Sequence, residues 1–161
     1  MSSRTANNEW ILLPLRVIVG FGFASHGYAK FSRGPGNFGS TLQALGIPQP
    51  QLMAWLTAIL ELVGGISLMA GAFVVPFTVP LAVIMLTAMF GVHFQYGYSS
   101  IRLKGVNTGG PEFGPIGYEL NLLYIAALVT LALSKPTSWS LDLWLKKRKE
   151  SLAVERPLFS K

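Results

Sequence analysis

The sequence predicts an all-α fold: an integral membrane four-helix bundle of antiparallel helices with a C-terminal segment at the membrane interface. Two observations carry this prediction. Of the 161 residues, 51% are hydrophobic and only 12% are charged. Four windows of nearly uncharged sequence are also present, and a helix needs about 20 apolar residues to cross roughly 30 Å of hydrocarbon. The length fits one domain, residues 1–161.

Four predicted spans follow from apolar runs of helical length. They cover residues 11–31, 52–72, 77–96 and 118–134. Glycine and proline separate the first two spans, and STLQAL within that connection favours a short surface turn. Pro76 and Pro80 suit the first turns of the third helix. The glycine-rich residues 97–117 predict a long loop, of a length that is usually functional or mobile.

The distribution of lysine and arginine predicts that both termini are cytoplasmic. The two terminal segments hold Arg4, Lys135, Lys146, Lys147, Arg148, Lys149, Arg156 and Lys161, and the two long loops hold only Lys30, Arg33, Arg102 and Lys104. In the basic tail, residues 135–161, Trp139 and Trp144 precede KKRK, as is typical of a segment in the inner interface. No small-residue cleavage site follows the first apolar run, so we expect that span to be retained.

Composition also excludes several classes of site. Cysteine is absent, which rules out structural disulfides, thiolate metal sites and dithiol relays. The net charge of +6 is concentrated near KKRKE, after a tryptophan-rich segment, which favours a lipid bilayer surface over nucleic acid. No flavin, haem or iron–sulfur motif is visible, and GFG at 20–22 follows no strand. The histidines and glutamates lack HxxxH or ExxH spacing, so no metal site is predicted.

Ionisable side chains inside the predicted spans are the candidate functional residues. They are Arg16, His26 and Lys30 in the first span, Glu61 in the second, His93 in the third and Glu119 in the fourth. A charged side chain costs roughly 2.5 to 3.5 kcal/mol at a helix centre, so each charged group requires a partner or water. Glycine shares the face of Arg16 and Lys30, and small residues surround Glu61, which points these groups toward other helices.

Depth brings four of these residues together. Alternate spans run in opposite directions, so His26, His93 and Glu119 fall near the outer ends of their helices, while Glu61 lies nearer the middle. We therefore expect His26, Glu61, His93 and Glu119 to be the catalytic candidates in one pocket in the outer half of the bundle.

Simpler roles are open for several of these residues. Arg16 and Lys30 lie close enough to the membrane boundaries to be anchors. A single histidine inside a span is often a hydrogen-bonded packing residue, and Glu119 can stabilise a helix N-terminus. Glu61 lies in mid-span among small residues, which is difficult to explain by anchoring.

The order of the motifs resembles the DoxX family along almost the whole chain. The matching stretches are LRVIVGFGFASHGYAKF, ELVGGISLMAG, MLTAMFGVHFQYGY, GYELNLLY and SWSLD. The resemblance implies a bacterial, multi-pass protein of the inner (cytoplasmic) membrane. The matched positions include Arg16, Lys30 and Tyr118, and these three are the candidates for binding a cofactor. Asp142 in the C-terminal SxD motif is matched as well.

The resemblance implies a role as the membrane subunit of a quinone-linked oxidoreductase, because relatives include the membrane subunit of thiosulfate:quinone oxidoreductase. Quinone is then the expected cofactor, and a second protein subunit is expected to carry the electron donor site. Quinone reduction takes up protons as well as electrons, and His and Glu can relay them. Two alternatives stay open: a non-catalytic accessory or assembly subunit, and a small-solute or proton pathway.

Overall fold

The computed structural model describes residues 10–134 and 139–154, with side chains as far as Ser151. Helices dominate this part of the chain: α1 (Leu12–Ser32), α2 (Pro35–Ala44), α3 (Pro50–Ala70), α4 (Val74–Ala88), α5 (Glu119–Leu133) and α6 (Leu141–Val154). A π-helical turn, Met89–His93, and a 3-10 turn, Phe94–Tyr96, continue α4. Residues 1–9, 135–138 and 155–161, which include parts of the predicted terminal segments, lie outside the described residues.

The predicted helical fold is confirmed, with one addition. Strands β1 (Leu103–Asn107) and β2 (Gly110–Phe113) form an antiparallel hairpin inside the predicted loop. A two-residue turn joins them, where Gly109 N–H donates to Asn107 Oδ1 at 2.8 Å. Each strand is short and mostly exposed, so the sequence shows no alternation of buried and exposed side chains from which to predict it.

The connection between the first two long helices also differs from its prediction. Instead of a short turn it contains the ten-residue helix α2, which begins at Pro35 in the first helical position, where a missing N–H costs nothing. Gly34 precedes it with φ of 83°, a conformation open to glycine. Packing against α3 holds this helix in place, since a Cβ at Gly39 would lie 2.7 Å from the Gln51 side chain.

Two helical segments of the described chain are long and apolar enough to cross a membrane. They are α3 and the continuous run Val74–Tyr96. Helix α1 has 21 residues but includes Arg16, His26 and Lys30, and α5 is apolar but has only 15 residues.

Helices α1 and α3 pack antiparallel with their backbones in close approach. A Cβ at Gly20 would lie 2.6 Å from the Gly65 carbonyl oxygen, and one at Gly27 would lie 2.5 Å from the Leu62 backbone nitrogen. Glycine is therefore required at both positions, as in other close helix contacts within membranes. This approach fixes the residues of α1 that face α3.

The buried core lies near the α3–α4 turn. It contains Val19, Phe23, Leu68, Leu81, Leu128 and Leu131. Gly64 lets Phe77 and Leu81 of α4 pack on α3 at this end. Toward the other end of the helices the packing opens into a cavity.

Candidate functional site

A cavity of about 720 Å³ lies between α1, α2, α3, α4 and α5. Its volume is in the range of small-molecule sites. Most of its wall is apolar, with Phe23, Leu42, Leu60, Ile84 and Leu120 among the lining residues. The polar side chains on the wall include His26, Lys30, Thr41, Thr57, Glu61, Thr87, His93, Asn121 and Tyr124. An apolar molecule with a polar head group would match this lining.

An ion pair between Lys30 and Glu61 forms one polar part of the wall. Lys30 Nζ donates to Glu61 Oε2, and the two side chains are 17% and 6% exposed. Lys30 Nζ also lies 4.7 Å from the centre of the Phe38 ring on α2. The close contact of α1 with α3 at Gly27 brings the two charges together. An ammonium has three donors and a carboxylate two acceptor oxygens, so both groups keep capacity for a ligand.

His26 lies one turn before Lys30 on α1 and lines the same cavity. It makes no hydrogen bond to any residue that the structure describes, and it is exposed. Its imidazole is therefore available to a ligand as donor or acceptor.

His93 enters the cavity from the opposite side, at the end of the π-helical turn. Its Nδ1 lies 3.0 Å from the carbonyl oxygen of Ile116, in the segment that leads to α5. A carbonyl oxygen can only accept, so Nδ1 carries the proton. Such π-helical turns occur frequently at functional sites.

Glu119 and Tyr118 lie at the start of α5, outside the cavity wall. The Glu119 carboxylate accepts a hydrogen bond from the Ser100 backbone N–H at 3.0 Å, so it fastens the preceding loop. The Tyr118 ring stacks on Phe94 with ring centres 5.5 Å apart. The structure thus brings together three of the four residues expected in the pocket, His26, Glu61 and His93, and leaves Glu119 apart.

Arg16 lies at the other end of α1, away from the cavity. It is 4% exposed, and its Nη2 donates to the carbonyl oxygen of Trp139 at 2.7 Å. The negative charge of Asp142 also acts on this guanidinium. Asp142 in turn accepts from the backbone N–H groups of Phe73 at 2.9 Å and Val74 at 3.3 Å, at the start of α4. We call Arg16 and Asp142 with these backbone partners the Arg16 cluster.

Sequence reasoning missed two cavity residues on α5, Asn121 and Tyr124. Asn121 is 3% exposed, and its Nδ2 donates to the carbonyl oxygen of Met85 on α4 at 3.3 Å. Tyr124 packs edge-on against Phe23 with ring centres 5.3 Å apart. Their three-residue spacing places both on one helix face, a signal that could have identified them.

The site has no arrangement typical of a metal centre. In residues 10–134 and 139–154, no three His, Asp or Glu side chains lie together as potential ligands of one ion. Its polar groups can instead donate to, accept from or exchange protons with an organic ligand.

Comparison with known proteins gives a consistent set of relatives. The DoxX family model matches residues 11–94. An uncharacterized membrane protein of Mycobacterium tuberculosis is 30% identical over 148 residues, covering 85% of this chain and 82% of the relative. The Bacillus subtilis protein named "Putative oxidoreductase CatD" is 29% identical over 140 residues, covering 86% of this chain and 90% of the relative. No solved structure matches the chain.

Proposed function

Because the chain belongs to the DoxX family of membrane proteins, we propose that it is the membrane subunit of an oxidoreductase and binds a quinone head group in its cavity. One observation carries the proposal: a largely apolar cavity of about 720 Å³ has His26, Glu61 and His93 on its wall. Apolar walls suit the ring and tail of a quinone, and polar groups suit its two oxygens.

The chemistry of the wall fits a ligand that exchanges protons. Reduction of a quinone to a quinol takes up two electrons and two protons, so its site needs hydrogen-bond donors and titratable groups. Lys30 has donors beyond the one held by Glu61, and His26 is open to the cavity. The electrons come from a partner subunit that carries the donor site. The relative named as an oxidoreductase supports this class of reaction.

In the proposed topology, α1, α3, the run Val74–Tyr96 and α5 form an antiparallel four-helix bundle in a bacterial inner membrane. The excess of lysine and arginine in the terminal segments supports cytoplasmic termini. The cavity then lies in the outer half, the β1–β2 hairpin lies outside, and α6 lies along the inner interface. We expect reporter fusions after Lys161 to be cytoplasmic and fusions within residues 100–110 to be external; labelling of both from one side would contradict this topology.

Binding of a short-chain quinone to the purified protein tests the proposed function. Ubiquinone-1 is titrated calorimetrically into the protein in mild detergent, with protein-free micelles as the blank. We expect saturable binding at one site, weakened about tenfold or more by Lys30→Met. Glu119→Gln is the matched control, because this residue lies outside the wall, and it should bind as the wild type does.

Two outcomes would overturn the proposal. The first is the absence of saturable binding by a folded protein. The second is a stoichiometric partner that co-purifies and functions normally when the Lys30→Met variant replaces the wild type. That second result would favour the alternative of a non-catalytic accessory subunit.

A further inference from the structure

The cavity has two polar walls that differ in hydrogen-bonding character. On the α1–α3 side, Lys30 is a donor that cannot accept, and its partner Glu61 is the acceptor of that ion pair, so this wall offers both a donor and an acceptor. On the α4–α5 side, His93 and Asn121 already use N–H groups on backbone carbonyl oxygens. The atoms that these two side chains retain for a ligand follow from those bonds.

His93 retains an acceptor. Its Nδ1 donates to the Ile116 carbonyl oxygen, and a neutral imidazole carries only one N–H, so Nε2 presents a lone pair. No described residue occupies Nε2, and the ring lines the cavity. The bond to Ile116 therefore fixes the tautomer, as the second partner of a functional histidine commonly does.

Asn121 retains an acceptor as well. Its Nδ2 must be the atom facing the Met85 carbonyl oxygen, because two oxygens cannot share a hydrogen bond without a proton. Oδ1 and the second N–H of Nδ2 are then left for the cavity, which Asn121 lines, so this side chain can either accept or donate and His93 sets the character of the wall. The remaining polar side chain of α5 on this wall, Tyr124, packs its hydroxyl against Gly22 of α1.

We propose that the α4–α5 wall selects a ligand with a hydroxyl donor, so that the cavity binds the quinol form more tightly than the quinone form. A quinone has two carbonyl oxygens, which only accept, and one of them would face the Nε2 lone pair of His93. A quinol donates a hydroxyl there, while its other oxygen accepts from Lys30 on the opposite wall. This inference rests on the proposed function and adds the redox form that the site prefers.

Affinity for three matched ligands tests the preference. Ubiquinol-1, ubiquinone-1 and the dimethyl ether of ubiquinol-1 are titrated anaerobically into the protein in mild detergent. The ether keeps the shape of the quinol but cannot donate. We expect the quinol to bind about tenfold more tightly than the quinone, and the ether no more tightly than the quinone.

Two substitutions of His93 separate its two nitrogens. His93→Asn keeps a donor near the Nδ1 position for Ile116 and removes the Nε2 acceptor. The ratio of quinol affinity to quinone affinity should therefore fall to about one. His93→Gln places an amide oxygen near the Nε2 position and should keep part of the preference. A preference lost in His93→Gln but kept in His93→Asn would overturn the assignment of Nε2 as acceptor.

The outcomes distinguish this inference from the function on which it rests. If no form binds, the proposed quinone site is wrong. If the quinone binds as tightly as the quinol, or the ether as tightly as the quinol, the site exists but does not select a hydroxyl donor, and the inference alone is overturned.

Discussion

The two ends of α1 each hold a basic side chain against other parts of the chain, but in opposite ways. Arg16 is 4% exposed and donates to a backbone carbonyl oxygen beside Asp142, which itself holds the start of α4. Lys30 pairs with the Glu61 side chain on the wall of a cavity. At the first end the partners include backbone groups of two connecting segments, and at the second the partner is a side chain.

This difference indicates which end is structural and which can exchange partners. Backbone groups in the Arg16 cluster belong to the α3–α4 turn and the start of α6, so moving them would disturb three helices. The Lys30–Glu61 contact joins two side chains on the cavity wall, so a change of partner there need not move a helix backbone. Substitutions at the two ends should therefore affect stability and binding unequally.

The largest effect on stability is expected at Arg16. Arg16→Met keeps much of the side-chain volume but leaves the Trp139 carbonyl oxygen and Asp142 without the guanidinium, and should lower the free energy of unfolding by about 3 to 5 kcal/mol. Denaturant unfolding in mild detergent measures it. Arg33→Met, at an exposed arginine just after α1, is the control and should change stability by less than about 0.5 kcal/mol. Equal stability of both variants would contradict a structural role for the Arg16 cluster.

A smaller effect is expected at Glu61, and it should depend on the replacement. Glu61→Leu leaves the Lys30 ammonium without its carboxylate and should cost about 1 to 3 kcal/mol. Glu61→Gln keeps an acceptor oxygen for Lys30 and should cost less. Thermal unfolding of both variants measures these losses. Glu112→Leu, at an exposed position of the hairpin, is the control. Identical losses for Gln and Leu would show that the hydrogen bond from Lys30 does not contribute.

Removal of the Asp142 carboxylate should cost about 1 kcal/mol, the usual value for a lost helix cap. Asp142→Ala leaves the N–H groups of Phe73 and Val74 without this acceptor, whereas Asp142→Asn keeps one side-chain oxygen for them. The same measurement should therefore give the highest free energy of unfolding for the wild type, a lower one for the Asn variant and the lowest for the Ala variant. A more stable Ala than Asn variant would contradict the capping role.

The smallest effect on stability is expected at His26. His26→Ala removes no hydrogen bond to a described residue, so its unfolding free energy should stay within about 0.5 kcal/mol of the wild type, although quinone affinity falls. Calorimetric titration of His26→Ala, His93→Ala and the double variant should give losses that are less than additive, because both residues line one site. Additive losses would place the two imidazoles at separate sites.

The sequence predicted the long helices closely because their signal is local. The predicted ranges 52–72 and 118–134 differ from Pro50–Ala70 and Glu119–Leu133 by at most two residues at each end. Helix α2 and the β1–β2 hairpin were not predicted. Their stability comes from packing and strand pairing between residues that a periodic pattern does not connect, such as Gly39 with Gln51.

The candidate site shows the same difference between local helical patterns, which the sequence reveals, and contacts between distant residues, which it does not. Helical phase and depth placed His26 and Glu61 near each other, and both line the cavity. Arg16 and Glu119 bind backbone groups of irregular segments, among them the Trp139 carbonyl oxygen and the Ser100 N–H, which no helical periodicity predicts. The orientation of His93 depends on the π-helical turn, whose wider winding has no visible signature in MFGVH.

The Lys30–Glu61 pair has a consequence for the energetics of a membrane under voltage. Two opposite charges in contact carry no net charge, so in the proposed topology the transmembrane potential would do almost no work on them. For one elementary charge crossing the membrane that work is about 2.3 kcal/mol per 100 mV. A proton passed to Glu61 would leave the Lys30 ammonium as a single uncompensated charge. In the proposed topology the transmembrane potential would then act on the Lys30 charge, and the occupancy of the protonated state would depend on that potential.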